Sequence, residues 1–287
     1  MRKGVVDAKM ATAEFDRVAD VYDDTRRPLH AETLGGLVGM LDGRRCRSIL
    51  EVGVGTGRIS VPLSARGFQM TGLDLSRRMM ERALAKGITD LVLADARKPP
   101  FRSDAFDAGF MAHVFHLLED PLAVMREVAK VVRVGVFALV RVQPGDWAWF
   151  TFLGGEYPSK GPASEEATRR REERRAKLMN IAAKYDWKWD PEARARNWRR
   201  EQEILVTHRP DELKVVSDVV VTDTLDERIE RLRKGAYSFM ANMPSEMKDE
   251  LIRMMKADAA SHPELARRSR HEAYQVGFWS SRSLLRS

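Results

Sequence analysis

The sequence predicts an α/β protein built on a doubly wound, mostly parallel sheet of seven strands. Three observations predict it. From Arg47 to Val142, short apolar runs alternate with helical segments of about ten to fifteen residues, which is the pattern of parallel βαβ units. A glycine-rich turn follows the first of these runs, and an acid ends each of the next two. Finally, 44% of the residues are apolar and 32% are charged, which favours a packed core over global disorder.

The apolar runs and their flanking turn residues set the element boundaries. The predicted strands are 48–52, 69–73, 88–94, 105–111, 134–142, 213–222 and 271–279. Apolar residues at helical spacing predict helices at 14–27, 30–41, 59–65, 76–86, 120–133, 225–243 and 245–258, with two more inside 164–200. Ser76, Asp120 and Ser245 have the side chains expected at helix N-caps, and Pro121 suits the first helical position.

Changes in composition divide the 287 residues into four parts. We predict an N-terminal helical arm over 1–46, a ligand-binding core over 47–144, and a helical cap over 145–210. The last part, 211–287, supplies the final two strands of the core with a second helical insert at 225–268. The fold is therefore a sheet with a helical cap inserted around its sixth strand.

Composition also excludes several classes of protein. The single cysteine, Cys46, excludes a disulfide framework and any cysteine-based zinc site. No apolar run approaches the roughly 18 residues of a membrane span, and the first residues do not read as a signal peptide, so we expect a cytoplasmic protein. The net charge is 49 − 42 = +7, which permits an acidic partner without requiring one.

The glycine turn carries most of the functional information. Gly53, Gly55 and Gly57 form a G-x-G-x-G pattern between a predicted strand and a predicted helix. A dinucleotide-binding fingerprint needs its third glycine at position 58, where Arg58 stands, so a nicotinamide dehydrogenase is disfavoured. Glu51 precedes the turn, and its charge would repel a pyrophosphate but suits a cationic ligand.

Two acids follow at the ends of the next strands. Asp74 ends the second strand, where it is placed to accept two hydrogen bonds from a ribose diol. Asp95 ends the third strand and is placed to accept one from an adenine amino group. Aspartate in such positions also commonly caps helices and turns, but the glycine turn ahead of both acids favours a ligand site.

Five segments in order resemble the class I S-adenosylmethionine-dependent methyltransferases, in the small-molecule branch that includes the ubiquinone and menaquinone biosynthesis type. They are FDRVADVYDDTR at 15–26, ILEVGVGTGRIS at 49–60, TGLDLSRRMMERA at 71–83, LVLADARKPPF at 91–101 and FDAGFMAHVFHLLED at 106–120. The resemblance implies a Rossmann-like core, S-adenosyl-L-methionine as the cofactor and a small-molecule methyl acceptor. It weakens beyond residue 142.

The resemblance also implies cofactor contacts. The methionine moiety would lie at Glu51 and the turn, with Met111 beside its amino group; Asp74 would hold the ribose, Asp95 the adenine edge, and an arm would fold over the cofactor. The implied cofactor residues are Tyr22, Arg27, Glu51, Gly53, Val54, Gly55, Gly57, Asp74, Leu75, Asp95, Ala96 and Met111.

Methyl transfer from a sulfonium is an in-line displacement, which needs a general base only if the nucleophile must lose a proton early. His113 and His116 follow the fourth strand and are the candidate bases; His113 is the one expected to face the substrate. They can equally be ordinary polar residues of a turn. No third ligand accompanies them, so no metal site is predicted.

Two alternatives stay open. The stretch 164–200 holds 12 Lys or Arg against 7 Asp or Glu, with Trp187, Trp189 and Trp198 interleaved. This composition allows an RNA methyltransferase that binds nucleic acid through a basic cap, although a solvated helix face with i,i+4 ion pairs is the favoured interpretation. The other alternative is a cofactor-binding protein without activity. The acceptor, its nucleophilic atom and the oligomeric state are not predicted.

Overall fold

Seven strands of the described residues form one sheet. The computed structural model describes residues 8–142, 165–188, 201–235, 240 and 243–286. The strands lie in the order β3-β2-β1-β4-β5-β7-β6. They are β1 (Ser48–Val52), β2 (Gln69–Asp74), β3 (Asp90–Leu93), β4 (Phe106–Ala112), β5 (Val132–Arg141), β6 (Glu212–Thr224) and β7 (Arg267–Ser280).

The first five strands run parallel. β1 pairs with β2 on one side and with β4 on the other, so Glu51 lies beside Gly72 and Phe110 in the register. β2 pairs with β3, and β4 with β5. The last strand, β7, runs antiparallel to β5. The sheet is therefore mostly parallel, as predicted, and the carboxyl ends of β1 to β5 meet along one edge.

Both faces of the sheet are buried. Leu50 and Met111 belong to one apolar cluster, while their strand neighbours Ile49 and Phe110 belong to another. Because successive side chains of a strand point to opposite faces, the two clusters pack on opposite sides of the sheet. This two-sided burial is the property that makes the strands read as continuous apolar runs.

Most helices of the described residues lie at predicted positions with shifted ends, whereas those at 201–207 and Ser281–Arg286 were not predicted. They are α1 (Ala8–Val18), α2 (Tyr22–Thr25), α3 (Ala31–Asp42), α4 (Ser60–Ser64), α5 (Arg77–Ala85), α6 (Pro121–Val131), α7 (Glu165–Lys184), α8 (201–207), α9 (Leu225–Arg233), α10 (Ser245–Ser261) and α11 (Ser281–Arg286). A single predicted helix at 14–27 is thus two helices, α1 and α2.

Local cap chemistry explains the starts of α5 and α6. Ser76 accepts a hydrogen bond from the amide of Met79, and Asp120 accepts one from the amide of Ala123, as predicted. The prediction of Ser245 as an N-cap is wrong: the extended residue before α10 is Pro244, and Ser245 is already helical. Proline has no N–H to lose and a fixed φ, so it suits a position just outside the first turn.

Five predicted strand starts also differ, by one or two residues in β3 to β6 and by four in β7. β3 begins at Asp90 because the amide of Ile88 bonds to the carbonyl of Ala83 and closes the end of α5. β7 begins at Arg267, four residues before the predicted start.

The chain divides into two compact units. Unit 1 contains residues 1–142, 200–218 and 273–287, and unit 2 contains 143–199 and 219–272. Unit 1 holds β1 to β5 and both apolar clusters of the sheet. In unit 1, α3 packs on β6, where the hydroxyls of Thr33 and Ser217 form a buried hydrogen bond of 2.7 Å.

Unit 2 has a helical core of its own. Leu178, Leu232, Met240, Met247 and Leu251 are among its buried residues. Basic residues of α7 pair with acids of α10 in this unit: Arg174 Nε lies 2.7 Å from Asp258 Oδ2, and Lys184 Nζ lies 2.6 Å from Glu250 Oε2.

The charged stretch at 164–200 is described only over 165–188. Of its predicted i,i+4 pairs, Glu166 and Arg170 lie 3.6 Å apart, while Lys177 lies 3.8 Å from Asp258 instead of pairing with Glu173. Pro191, Trp189 and Trp198 lie outside the described residues, as do the aromatic residues at 147–157.

Candidate functional site at the carboxyl ends of β1 to β4

A tight turn links β1 to the residues before α4. Gly53, Gly55 and Gly57 have φ values of 73°, 53° and 77°, a region that favours glycine. The amides of Gly53 and Val54 both donate to the carbonyl oxygen of Leu73, at 2.7 and 3.2 Å. These two hydrogen bonds hold the turn against the end of β2, and the positive φ values favour glycine at all three positions.

Asp74 organises this turn from the end of β2. Its Oδ2 accepts a hydrogen bond of 2.8 Å from the amide of Gly55, and its Oδ1 accepts one of 2.8 Å from the amide of Ser76. Burial raises the pKa of Asp74, while these two amides act in the opposite direction. Each carboxylate oxygen has two lone pairs, so both can accept a further hydrogen bond from a ligand.

Glu51 lies at the end of β1 and is buried. Its Oε2 accepts a hydrogen bond from the hydroxyl of Ser60, the first residue of α4. Burial raises the pKa of Glu51 to about 8, and the nearby charge of Asp74 adds to the effect. A buried acid beside a second acid is an unfavourable place for negative charge, which a cationic ligand would relieve.

The third predicted acid has a different environment. Asp95 follows β3, and its carboxylate forms a fork with the guanidinium of Arg97, with Nε 2.8 Å and Nη2 2.5 Å from Oδ2. The hydrogen bonds from Arg97 lower the pKa of Asp95. Ala96 is buried, whereas Leu75 after β2 is 42% exposed despite being apolar.

The N-terminal arm contacts the glycine turn. Asp23 Oδ1 accepts a hydrogen bond of 2.6 Å from the hydroxyl of Thr56, and the carbonyl oxygen of Arg27 accepts one of 2.9 Å from Arg58 Nη2. Close by on the arm, the Arg26 guanidinium lies 4.8 Å from the centre of the Tyr22 ring. Tyr22 and Arg27 thus belong to a segment attached to the turn by its neighbours.

The loop after β4 packs against the same turn. A side chain at Gly53 would collide with Val114, which separates the two histidines. His113 has a φ of 57°, and its ring makes an edge contact with Tyr274 at 6.0 Å between centroids. Met111, at the end of β4, is fully buried in the core of the sheet.

His116 has a partner that sequence reasoning did not identify. Its Nδ1 lies 2.7 Å from Oε1 of Glu201, which is buried on α8. The two residues are 85 positions apart, and Glu201 stands in a stretch assigned to the cap. No spacing or motif signals such a pair, because it forms only when α8 packs beside the end of β4.

The structure thus brings together Glu51, Asp74, the glycine turn and the His113–His116 loop, whereas Asp95 bonds to its own neighbour, Arg97. In the described part of the chain, no three His, Cys, Asp or Glu residues are grouped so that they could hold a metal ion. No described helix is long and apolar enough to cross a membrane.

Comparison with known proteins finds a family that resembles this site. A family model described as a methyltransferase domain matches residues 50–140, from within β1 to within β5, and this segment includes the glycine turn, Glu51 and Asp74. Over this segment the chain is similar to methyltransferases. The match ends where the resemblance found in the sequence also weakens.

Two curated relatives of this segment are named as O-methyltransferases. The chain is 30% identical over 131 residues to the malonyl-[acyl-carrier protein] O-methyltransferase of Salmonella typhimurium, covering 45% of this chain and 52% of that one. It is 28% identical over 183 residues to a ubiquinone biosynthesis O-methyltransferase of Alkalilimnicola ehrlichii, covering 54% and 68%. The chain thus spans about half the length of the Salmonella relative.

Solved structures support the fold. A putative methyltransferase from an antibiotic biosynthesis pathway of Anabaena variabilis superimposes with a TM-score of 0.50 at 10% identity, covering 88% of this chain and 98% of that chain. At this identity the likeness concerns the fold, and it identifies the sheet as Rossmann-like.

Proposed function

We propose that the chain transfers the methyl group of S-adenosylmethionine to a small-molecule acceptor by in-line displacement. The observation that carries this proposal is the pair of acids formed by the buried Glu51 and the half-buried Asp74, at the ends of neighbouring strands and on either side of a glycine turn. Such an arrangement suits a ligand that presents a cationic group and a diol a few ångströms apart.

Each part of the site has a proposed partner on the cofactor. Glu51 would hold the methionine ammonium, since burial leaves its carboxylate in need of a positive charge. Asp74 would accept from the ribose hydroxyls through its remaining lone pairs. Gly53, Val54, Gly55 and Gly57 would let the cofactor approach the backbone closely.

The adenine end is proposed at β3. Asp95 and Ala96 would meet the adenine edge, and the exposed side chain of Leu75 would be covered by the ring system. The ion pair of Asp95 with Arg97 is solvent-accessible, and such pairs are worth about 0–1 kcal/mol. A hydrogen bond from an adenine amino group can therefore replace it at little cost.

Two further contacts complete the proposed cofactor site. Tyr22 and Arg27 would lie over the cofactor, because their arm is fastened to the turn through Asp23 and Arg58. Met111 would contribute main-chain atoms, since its side chain is buried in the core.

The bound cofactor supplies an activated methyl group, and the protein aligns the acceptor with it and excludes water. Orientation of this kind can contribute on the order of 7–11 kcal/mol to lowering a barrier. We also propose that the enzyme works in the cytoplasm, where its single cysteine, which is buried, would stay reduced.

Calorimetric titration with S-adenosylmethionine and with its demethylated product tests the cofactor site. We expect Asp74→Ala to weaken binding of both by 30-fold or more, roughly the 2 kcal/mol of a charge-assisted hydrogen-bond pair. Asp90→Ala is the matched control, since Asp90 is exposed at the opposite end of β3 and should bind normally.

Because Asp74 also holds the amides of Gly55 and Ser76, the variant must first show a native circular dichroism spectrum and a cooperative unfolding transition. A folded Asp74→Ala protein with wild-type affinity would overturn the site assignment. Binding of the cofactor without turnover of any acceptor would favour the non-enzymatic alternative.

A further inference from the structure

The pair formed by His116 and Glu201 is a polar contact that the proposed cofactor site does not use. His116 lies in a short 3-10 turn, Phe115–Leu117, directly after β4. Its side chain is 28% exposed, whereas the Glu201 side chain is only 10% exposed. The exposed partner is thus the imidazole, and the buried partner is the carboxylate that accepts its Nδ1–H.

Glu201 is held firmly in place by its helix. The next residue on α8, Gln202, donates from Nε2 to the carbonyl oxygen of Arg141 at the end of β5, at 2.5 Å. At the other end of α8, the carbonyl oxygen of His208 accepts a hydrogen bond of 2.7 Å from the indole of Trp279 on β7. The described part of α8 is therefore anchored to the sheet at two places.

This geometry fixes the tautomer of His116. A carboxylate can only accept, so the neutral ring carries its proton on Nδ1 and leaves the lone pair of Nε2 available. If the ring gains a second proton, the adjacent carboxylate stabilises the resulting imidazolium. Burial would raise the pKa of Glu201, but the hydrogen bond from His116 outweighs it and lowers that pKa, so the carboxylate is ionised at neutral pH.

The other histidine of this loop, His113, is a poorer base. Burial lowers the pKa of His113 to about 3, and the charges of Arg141 and Arg58 act in the same direction. Glu201 opposes this shift without overcoming it. A ring that resists protonation so strongly cannot readily accept a proton from a substrate, so His116 is the remaining candidate base of this loop.

We propose that His116, oriented by Glu201, is the general base of the methyl transfer, and that the acceptor therefore presents a hydroxyl or another protonated nucleophile. This inference rests on the proposed function. In the step, the acceptor oxygen forms a bond to the methyl carbon while the carbon–sulfur bond breaks and its electron pair stays on sulfur. The hydroxyl proton passes to Nε2 of His116.

The proposal assigns different roles to the two residues. His116 is the catalytic residue, and Glu201 is a positioning residue that acts through it. The location fits this role, because the loop that carries His116 packs against the glycine turn through Val114. A tertiary amine or a thioether has no proton to lose, so such acceptors would gain nothing from the pair.

Steady-state turnover across pH tests the proposal, with S-adenosylmethionine and a panel of catechols, simple phenols, tertiary amines and thioethers. We expect the enzyme to methylate acceptors that carry a hydroxyl group. His116→Gln should lower kcat on them by 100-fold or more with KM changed less than threefold, because general-base catalysis is worth about 10²- to 10⁴-fold. The loss should shrink as pH rises and the phenol ionises by itself.

The positioning role has its own readout. Glu201→Gln should lower kcat about tenfold, Glu201→Asp should recover part of it, and nitrogen-15 NMR of the His116 ring should show that the Nδ1–H tautomer loses its dominance in Glu201→Gln. His208→Gln, on the same segment, is the matched control and should behave as wild type. A purely structural pair would lower stability and leave the pH profile unchanged.

Two kinds of failure are separable. Loss of cofactor binding in the wild-type protein would remove the proposed function itself. When cofactor binding is normal, three results would overturn the assignment of the base and of its acceptor class. They are full phenol turnover by His116→Gln, turnover of tertiary amines or thioethers alone, and no turnover of any panel member.

Discussion

Substituting Gly53 should destabilise the protein for two separable reasons. Its φ of 73° costs an alanine about 1–2 kcal/mol relative to the ordinary helical or extended regions. An alanine Cβ would also lie closer to Val114 Cγ1 than the 3.0 Å that real Cβ atoms keep. Since Val114 is buried in the core, relieving that overlap adds about 1–3 kcal/mol. We therefore expect Gly53→Ala to lower the free energy of unfolding by about 2–5 kcal/mol.

Gly67 provides the matched control. It also has a positive φ, 86°, but a Cβ there would meet nothing within 4 Å. Gly67→Ala should therefore lose only the conformational part, about 1–2 kcal/mol. Urea unfolding followed by circular dichroism gives both free energies, with a constant m-value confirming two-state unfolding. Equal losses in the two variants would show that contact with Val114 does not constrain the turn.

Two further predictions concern pH. Because the folded-state pKa of Glu51 is raised to about 8, the stability that Glu51 contributes is fully present below its ordinary pKa of 4.5 and falls as pH rises through 8. Glu51→Gln should therefore flatten the pH dependence of the urea midpoint of the unliganded protein over this range. An unchanged slope would contradict the assignment. Burial would raise the pKa of Asp107, but the amides of Ser48 and Arg47 and the guanidinium of Arg133 hold it well below its usual range. The stability that Asp107 contributes is present above pH 3.8 and is lost as pH falls below that value. Asp107→Asn should therefore lower the free energy of unfolding by about 1–3 kcal/mol at pH 7 and by much less near pH 2, as measured by thermal unfolding. A difference between wild type and variant that does not change with pH would refute this.

Features set by neighbouring residues could be predicted from the sequence. The caps at Ser76 and Asp120 and the glycine turn depend on residues within a few positions, and apolar runs determine which segments become strands. The alternation of these strands with helices predicted that they run parallel. Ser245 was misassigned because a serine after a proline satisfies the same sequence pattern whether it precedes the helix or begins it.

Contacts between distant segments could not be predicted. Glu201 meets His116 because α8 packs beside the end of β4, and nothing near either residue indicates this. The fork between Asp95 and Arg97 is local, yet the sequence equally allows an unpaired acid at that place. The pKa of Glu51 could not be predicted either, because it is raised by the burial of the carboxyl group, which the sequence does not show.

The position of β7 between β5 and β6 has a consequence for synthesis of the chain on the ribosome. The hydrogen-bonding edge of β5 that β7 occupies stays open while all of the residues between these two strands are being made. An open apolar strand is a template for pairing with other chains. Nascent chains stalled before β7 should therefore aggregate, and chaperones that shield strand edges should matter more for this protein than for one whose sheet closes in chain order.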